Sequence, residues 1–384
     1  MRLPTRLSLA LAVALTLAAG CGDSDSDTDV IPATQASFLE PGPYGSATRD
    51  FVFVDSSRTT PPNRDYAGAA ERRLVTRVWY PIDAQGVPAG TAAAAGPFPV
   101  IGYAHGFLSS HVEADGLKRH LASHGYIIIA PTFPLSTASA PGGPTIGDMG
   151  NQPGDLAFVI DSVASLTNDD ADLAAAMDTT RKGIAGLSLG GGTVLIAVYH
   201  PVLHLPGIRA AVAHAPVSCF FAAPFYDHSL PTLIMGGDAD QLVPFDGSAA
   251  RALAWAPPPL TVARLIGGNH VGFLGIDIPN EPHSDSIGCI AVGNVDPESG
   301  AALLAQELTA GTTPDVVDAG GCGDNPVCGE LFVQTMRGAR QTELQMAATL
   351  AHFEAELRGR ADAAAFRDRV FGSENADVEV TLKR

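Results

Sequence analysis

Short apolar runs bounded by Gly and Pro recur along the chain, at residues 73–80, 98–105, 126–131, 182–187, 208–213, 230–236 and 260–266. Several are apolar at consecutive positions, as in Ile127-Ile128-Ile129 and Leu233-Ile234-Met235. A strand with one solvated face alternates apolar and polar residues, whereas a strand covered on both faces reads as an unbroken apolar run. Between the runs lie stretches with helical spacing, at 114–123, 153–165, 190–199 and 247–255. Strand and helix alternating in this way predict an α/β fold, a mostly parallel central sheet with helices on both faces. The pieces at 50–54 and 73–80 have no helix between them, which predicts an antiparallel edge. A late helix is expected over 330–358, with Met346, Leu350, Phe353 and Leu357 turned together toward the core.

The first 20 residues differ in kind. Arg2 and Arg6 lead into an apolar stretch from 7 to 19, and the small residues Ala18, Ala19 and Gly20 precede Cys21. That is the layout of a secretory signal, too short for a membrane span. Its end, Leu17-Ala18-Ala19-Gly20-Cys21, resembles a bacterial lipoprotein signal and so implies lipidation of Cys21, with Ala18 standing where Leu is usual. Ordinary cleavage that frees a secreted protein is the alternative. Residues 22–29 alternate Asp with Ser or Thr, and a flexible acidic tether is expected over 21–45, ahead of a single folded domain over 46–384.

Composition narrows the partners. With 23 Lys and Arg against 41 Asp and Glu the net charge is −18, and removal of residues 1–20 takes both arginines and leaves −20 (21 basic against 41 acidic). Such a surface excludes nucleic acid as a partner, since phosphate binding needs basic patches. Beyond Cys21 the chain has Cys219, Cys289, Cys322 and Cys328, an even number that suggests two disulfides in an exported protein. The short loop 322–328 favours pairing Cys322 with Cys328, which leaves Cys219 with Cys289. No CxxC or paired-His spacing accompanies them, and neither metal nor cofactor is expected.

In open sheets of this kind, function collects at the carboxyl ends of the strands. Three of those ends carry a serine, an acid and a histidine. After the strand at 182–187 comes Gly186-Leu187-Ser188-Leu189-Gly190, a G-x-S-x-G sequence at a strand-to-helix junction. Glycines on both flanks let neighbouring backbone approach a strained turn that lifts Ser188 into the cleft, at a helix N-terminus that favours developing negative charge. The next strand end carries Asp238 and Asp240, of which Asp240 begins a D-x-x-V-P run and Asp238 is read as a loop-structuring acid. The last carries Asn269-His270, with His214, at the end of another strand, as the rival base. The order is Ser188, Asp240, His270: nucleophile, orienting acid, general base. Oxyanion donors are expected from the N–H groups of Leu189, after the nucleophile, and Phe107, in the turn His105-Gly106-Phe107.

From about residue 73 to residue 273 the chain resembles an α/β-hydrolase. The segments Trp79-Tyr80-Pro81, Gly102-Tyr103-Ala104-His105-Gly106-Phe107 and Leu121-Ala122-Ser123-His124-Gly125-Tyr126 are similar to a branch of extracellular esterases. That branch holds platelet-activating-factor acetylhydrolases, chlorophyllase-like and dienelactone-hydrolase-like enzymes, and cutinase-like polyester hydrolases. The resemblance implies cofactor-free hydrolysis of carboxylic esters through an acyl-enzyme. Leu187 and Leu189 depart from the Trp or His and the Met that polyester hydrolases usually carry around the serine, and Ser188 replaces the Cys of a dienelactone hydrolase. The 52 residues from Ser188 to Asp240 leave no room for a cap domain, so an open cleft is expected, suited to small, lipid or polymeric esters. Phe107, Phe220 and Phe221 are candidates to line it, with core packing as the alternative for the latter two. A Gly-, Pro- and Asp-rich insertion at 275–329 either covers the cleft in part or forms a stapled surface loop. A monomer is expected. An amide hydrolase on the same triad and a non-catalytic surface-anchored binding protein remain open as alternatives.

Overall fold

The computed structural model describes residues 31–83, 93–278, 283–293, 297–323, 328 and 333–384. The expected signal segment 1–20 and Cys21 lie outside them. Among the described residues, nine strands form one sheet: β1 (Gly45–Asp55), β2 (Arg72–Ile82), β3 (Phe98–Ala104), β4 (Ile127–Thr132), β5 (Met177–Leu187), β6 (Ile208–His214), β7 (Thr232–Gly237), β8 (Leu260–Leu265) and β9 (Val378–Lys383). Their spatial order is β1-β2-β4-β3-β5-β6-β7-β8-β9. Strands β3 to β8 run parallel, while β1 and β2 form the expected antiparallel edge and β9 closes the other edge antiparallel to β8. This is the α/β-hydrolase arrangement.

The α-helices among the described residues are α1 (Gln35–Leu39), α2 (Asp115–Ser123), α3 (Gln152–Ala164), α4 (Ala171–Ala175), α5 (Leu189–Tyr199), α6 (Ala249–Trp255), α7 (Ser286–Val292), α8 (Pro297–Thr309), α9 (Gly338–Arg358), α10 (Ala361–Ala365) and α11 (Phe371–Glu374). The unbroken apolar strands are the ones buried on both faces: every residue of β3, and Ile127 to Pro131 of β4, is buried. One face packs against α2 and α9, where Leu121, Leu344, Leu350 and Phe353 join Ile101, Ile128 and Val212. The other packs against α3 and α5. Helix α5 is buried along its whole length, so its sequence shows no amphipathic stripe.

Two expectations shift at the N-terminal and late helices. The tether foreseen over 21–45 stops short of 45, because Gln35–Leu39 is helical and Phe38 is buried against Phe366, ring centroids 4.8 Å apart. His120 of α2 and His124, the residue after that helix, reach back to the carbonyls of Phe38 and Glu40, fixing that segment. The late helix begins at Gly338, eight residues after the expected start, and residues 329–332 lie outside the described set. Leu350, Phe353 and Leu357 face the core as foreseen, and Met346 packs at its margin.

The disulfide pairing differs from the expectation. Cys219 bonds Cys322 and Cys289 bonds Cys328. Proximity in sequence misleads here because the two halves of the insertion dock on different elements. Around Cys322, Asp318 N–H donates to the Phe220 carbonyl and the Asp318 carboxylate pairs with Arg251 of α6. Cys328 N–H instead donates to the Gln241 carbonyl, at 2.6 Å, in the loop after β7. Each cysteine therefore meets the partner nearest its own docking point.

Candidate active site

Ser188 sits between the end of β5 and the first residue of α5 with φ 58° and ψ −118°. A non-glycine residue in that region is strained and persists only where its surroundings hold it. Here they do: Ser188 N–H donates to the His214 carbonyl at 2.9 Å, and its own carbonyl accepts from Gly192 and Val217. The turn demands glycine on either side, because a Cβ at Gly186 would overlap Gly190 backbone and one at Gly190 would overlap the Ala104 carbonyl oxygen. The G-x-S-x-G sequence is thus a steric requirement of placing the end of β3 against the start of α5.

The acid and the histidine meet at the ends of β7 and β8. Asp240 is buried, and its Oδ2 lies 2.7 Å from His270 Nδ1. Oδ1 accepts from the N–H groups of Leu242 and Val243, at 2.9 and 2.7 Å, which fixes the carboxylate's orientation. With Nδ1 facing a carboxylate, that nitrogen carries the proton and Nε2 keeps the lone pair. Burial works against the charged imidazole, but the charge and hydrogen bond of Asp240, with Asp285 and Glu113 behind it, hold His270 above its ordinary value. Asp238 takes the other role: Oδ1 accepts from Gly267 N–H at 2.6 Å and Oδ2 pairs with Arg264. The rival His214 is fully buried, bonds Thr349 Oγ1 at 3.0 Å, and is driven down to about 3 by burial. It serves the site through its carbonyl, not its ring.

The turn after β3 supplies the facing wall. A Cβ placed on Gly106 would come within 3.3 Å of Ser188 Cβ, so this backbone lies directly against the nucleophile. Phe107 N–H makes no hydrogen bond among the described residues, and Leu189, opening α5, has no intrahelical acceptor for its N–H. Both donors are available to a ligand. His105 is buried; Phe133 N–H donates to Nε2 at 3.0 Å, so Nδ1 bears the proton and donates to the Gly106 carbonyl at 2.7 Å. The ring thus holds the turn through both nitrogens.

Of the three aromatic candidates, Phe107 and Phe220 are half-buried, whereas Phe221 is fully buried and stacks on Phe225 at 3.8 Å. Phe221 is a core residue, and the expectation that it lines the cleft is corrected. Its backbone bridges Val317, so packing under the insertion explains why a large apolar side chain stands there.

Two carboxylates at the site escaped the sequence reading. Glu113, seven residues past Gly106, is buried; both its oxygens accept from Gly106 N–H at 3.0 Å, and Oε1 also accepts from Tyr103 OH. Burial pushes its carboxyl up, opposed by those bonds and by the Lys118 charge. Lys118 is itself buried under the Trp79 and Tyr103 rings and is lowered to about 7 by burial. Asp285, in the insertion, accepts three backbone N–H groups from the loops that carry Asp240 and His270. Neither acid belongs to a motif, because each acts on backbone groups that any sequence offers.

A parallel α/β sheet with a strained serine after β5 and an acid–histidine pair after β7 and β8 is the architecture of α/β-hydrolases. Residues 76–253 match a family model described as PETase, PET hydrolase-like. A comparison with curated proteins gave no match. The chain is an α/β-hydrolase of the carboxylic-ester hydrolase class, similar to the PET hydrolases over that segment. The matched segment contains Ser188 and Asp240 and ends before His270 and the insertion.

Proposed function

We propose that the chain is an exported serine ester hydrolase that works through an acyl-enzyme, with Ser188 as nucleophile, His270 as general base and acid, and Asp240 as orienting acid. The observation that carries this reading is the 2.7 Å pair of His270 Nδ1 with buried Asp240, at the carboxyl ends of β7 and β8 in the same parallel sheet whose β5 ends in the strained Ser188 turn. Ser188 Oγ attacks the ester carbonyl carbon as His270 Nε2 takes its proton. The carbonyl oxygen becomes an oxyanion that accepts from the N–H groups of Phe107 and Leu189, each donor worth about 3 to 4 kcal/mol of transition-state stabilisation. Collapse breaks the bond to the leaving alkoxide, which receives the proton from His270, and leaves the acyl group on Ser188. Water then repeats the sequence and releases the acid.

The substrates proposed are small, lipid-like or polymeric esters entering past Phe107 and Phe220. Between Ser188 and Asp240 the chain holds only α5, β6, a short connection and β7, which leaves the cleft without a cap between those strands. Two disulfides fit an oxidising compartment, and no described helix is long and apolar enough to cross a membrane. The sequence around Cys21 supports lipid attachment there, with the enzyme acting as a monomer at the outer surface or in the periplasm of a bacterium. Hydrolysis of p-nitrophenyl esters from acetate to palmitate, with Ser188→Ala as control, tests the reading. Turnover that needs Ser188 is expected, and absence of turnover from a folded sample on every chain length would overturn it.

A further inference from the structure

A buried side chain of the insertion after His270 reaches the site. Asp285 lies just before α7 and is fully buried. Its Oδ2 accepts from Gln241 N–H at 2.9 Å and from His270 N–H at 3.0 Å, and its Oδ1 accepts from Val271 N–H at 2.9 Å. Gln241 follows the orienting acid directly, and His270 is the base itself. One carboxylate thus joins the backbones of two loops that reach the site from different strands.

The carboxylate is itself held in place. Cys289 N–H, one turn along α7, donates to the Asp285 carbonyl at 2.9 Å, and Cys289 is bonded to Cys328. Cys328 N–H returns to the Gln241 carbonyl at 2.6 Å. Gln241 is therefore gripped from both its N–H and its carbonyl, and the grip closes through a disulfide. Besides the His270 ring, Asp240 is held by backbone N–H groups of its own loop, those of Leu242 and Val243. The two loops also meet ahead of the catalytic pair, where Ala239 N–H donates to the Gly268 carbonyl and Gly267 N–H to Asp238 Oδ1; the bracket adds a tie at His270 itself and at the residue after Asp240.

We propose that Asp285 is a positioning residue, a buried acid of the insertion that ties the Asp240 loop to the His270 loop and thereby sets the distance and angle between the two side chains. This rests on the esterase reading for its catalytic consequence and on geometry alone for its structural one. The insertion is then part of the catalytic apparatus and not a surface ornament. The charged groups that act on His270 are Asp240 from the loop after β7, Asp285 from the insertion, and Glu113 from the turn after β3. All three favour the imidazolium, so removing the Asp285 charge moves the titration of His270 downward while Asp240 and Glu113 remain.

The test compares wild type with Asp285→Asn and Asp285→Ala on p-nitrophenyl butyrate. A loss of kcat of about 10²-fold is expected for Asp285→Ala, the size of a misplacement of about 1 Å, with KM within about twofold. For Asp285→Asn, which keeps the shape and loses the charge, a smaller loss of kcat is expected together with a shift of the acid limb of kcat/KM to lower pH. The His270 imidazole titration, followed by NMR in wild type and Asp285→Asn, is read in parallel and needs no substrate. A downward shift of that titration supports the bracket even if Ser188-dependent turnover is absent, a result that would sink only the esterase reading. A folded Asp285→Asn with an unmoved titration and wild-type kcat would overturn the bracket. So would a variant that lost thermal stability alone.

Discussion

Lowering the pH from 7 to 4 should remove about 3 kcal/mol of stability through one imidazole, that of His105. The ring is fully buried with both nitrogens bonded in the neutral form, and burial, opposed by the bond to the Gly106 carbonyl, lowers its value from 6.5 to about 4. Because the folded value lies below the unfolded one, the unfolded chain takes up the proton first. Stability is complete above about pH 6.5 and falls as the pH drops toward 4, flattening below that. The separation of about 2.5 pH steps at about 1.4 kcal/mol each gives about 2 kcal/mol lost by pH 5 and about 3 by pH 4. Other buried histidines, His214 and His352 among them, add to the acid sensitivity of the whole protein. The contribution of His105 is therefore isolated by difference. Urea unfolding at pH 7, 5 and 4, followed by tryptophan fluorescence, should be run on wild type and on His105→Gln, which keeps an acceptor near Phe133 N–H and cannot be charged. The variant should start less stable at pH 7 and lose about 3 kcal/mol less than wild type on acidification. Parallel losses for both proteins would refute the assignment of a neutral, doubly bonded His105. Protonation at Nε2 takes the acceptor away from Phe133 N–H, while Nδ1–H keeps its bond to the Gly106 carbonyl, so the same titration should break the tie to Phe133 and leave the Gly106 turn held.

Three further outcomes follow from the geometry. Asp240→Asn should lower kcat by about 10³- to 10⁴-fold, because the amide no longer enforces the Nδ1-protonated tautomer, whereas steady-state kinetics of Asp238→Asn, whose carboxylate bonds Gly267 N–H and Arg264, should show a loss of less than tenfold. Gly106→Ala would place a Cβ 3.1 Å from Glu113 Oε2 and 3.3 Å from both Leu187 O and Ser188 Cβ; kcat should fall with little change in melting temperature, and an unchanged kcat would mean the turn is not packed against the nucleophile. Phe221→Ala should destabilise by about 3 to 5 kcal/mol in urea melts, as expected for a buried aromatic, while leaving KM for short esters unchanged; a selective rise in KM would return Phe221 to the cleft.

The parallel strands were legible because a strand buried on both faces writes itself as an apolar run, as in Ile127-Ile128-Ile129. The candidate triad was legible for a related reason: each member follows such a strand by a few residues, so chain order and strand ends select it without knowledge of side-chain contacts. Strand β9 escaped, since it is a short edge strand in which only Val378 is buried and its partner β8 lies more than a hundred residues earlier. Asp285, Glu113 and the disulfide pairing escaped for one physical cause. Each is defined by backbone groups or docking points distant in sequence, such as Gln241 and Cys328, and the local residues carry no mark of them. Phe221 shows the converse, because an aromatic after a strand end reads the same whether it lines a cleft or lies under an insertion.

The most direct measurement is the intact mass of the protein after incubation with a fluorophosphonate, followed by peptide mapping of wild type and of Ser188→Ala and His270→Ala. A nucleophile at the strained turn after β5 should give one phosphonyl group per chain, on Ser188, absent in Ser188→Ala and slowed at least a hundredfold in His270→Ala. Labelling that persists in Ser188→Ala, or a folded wild type that takes up no label, would contradict the assignment of Ser188 as the nucleophile.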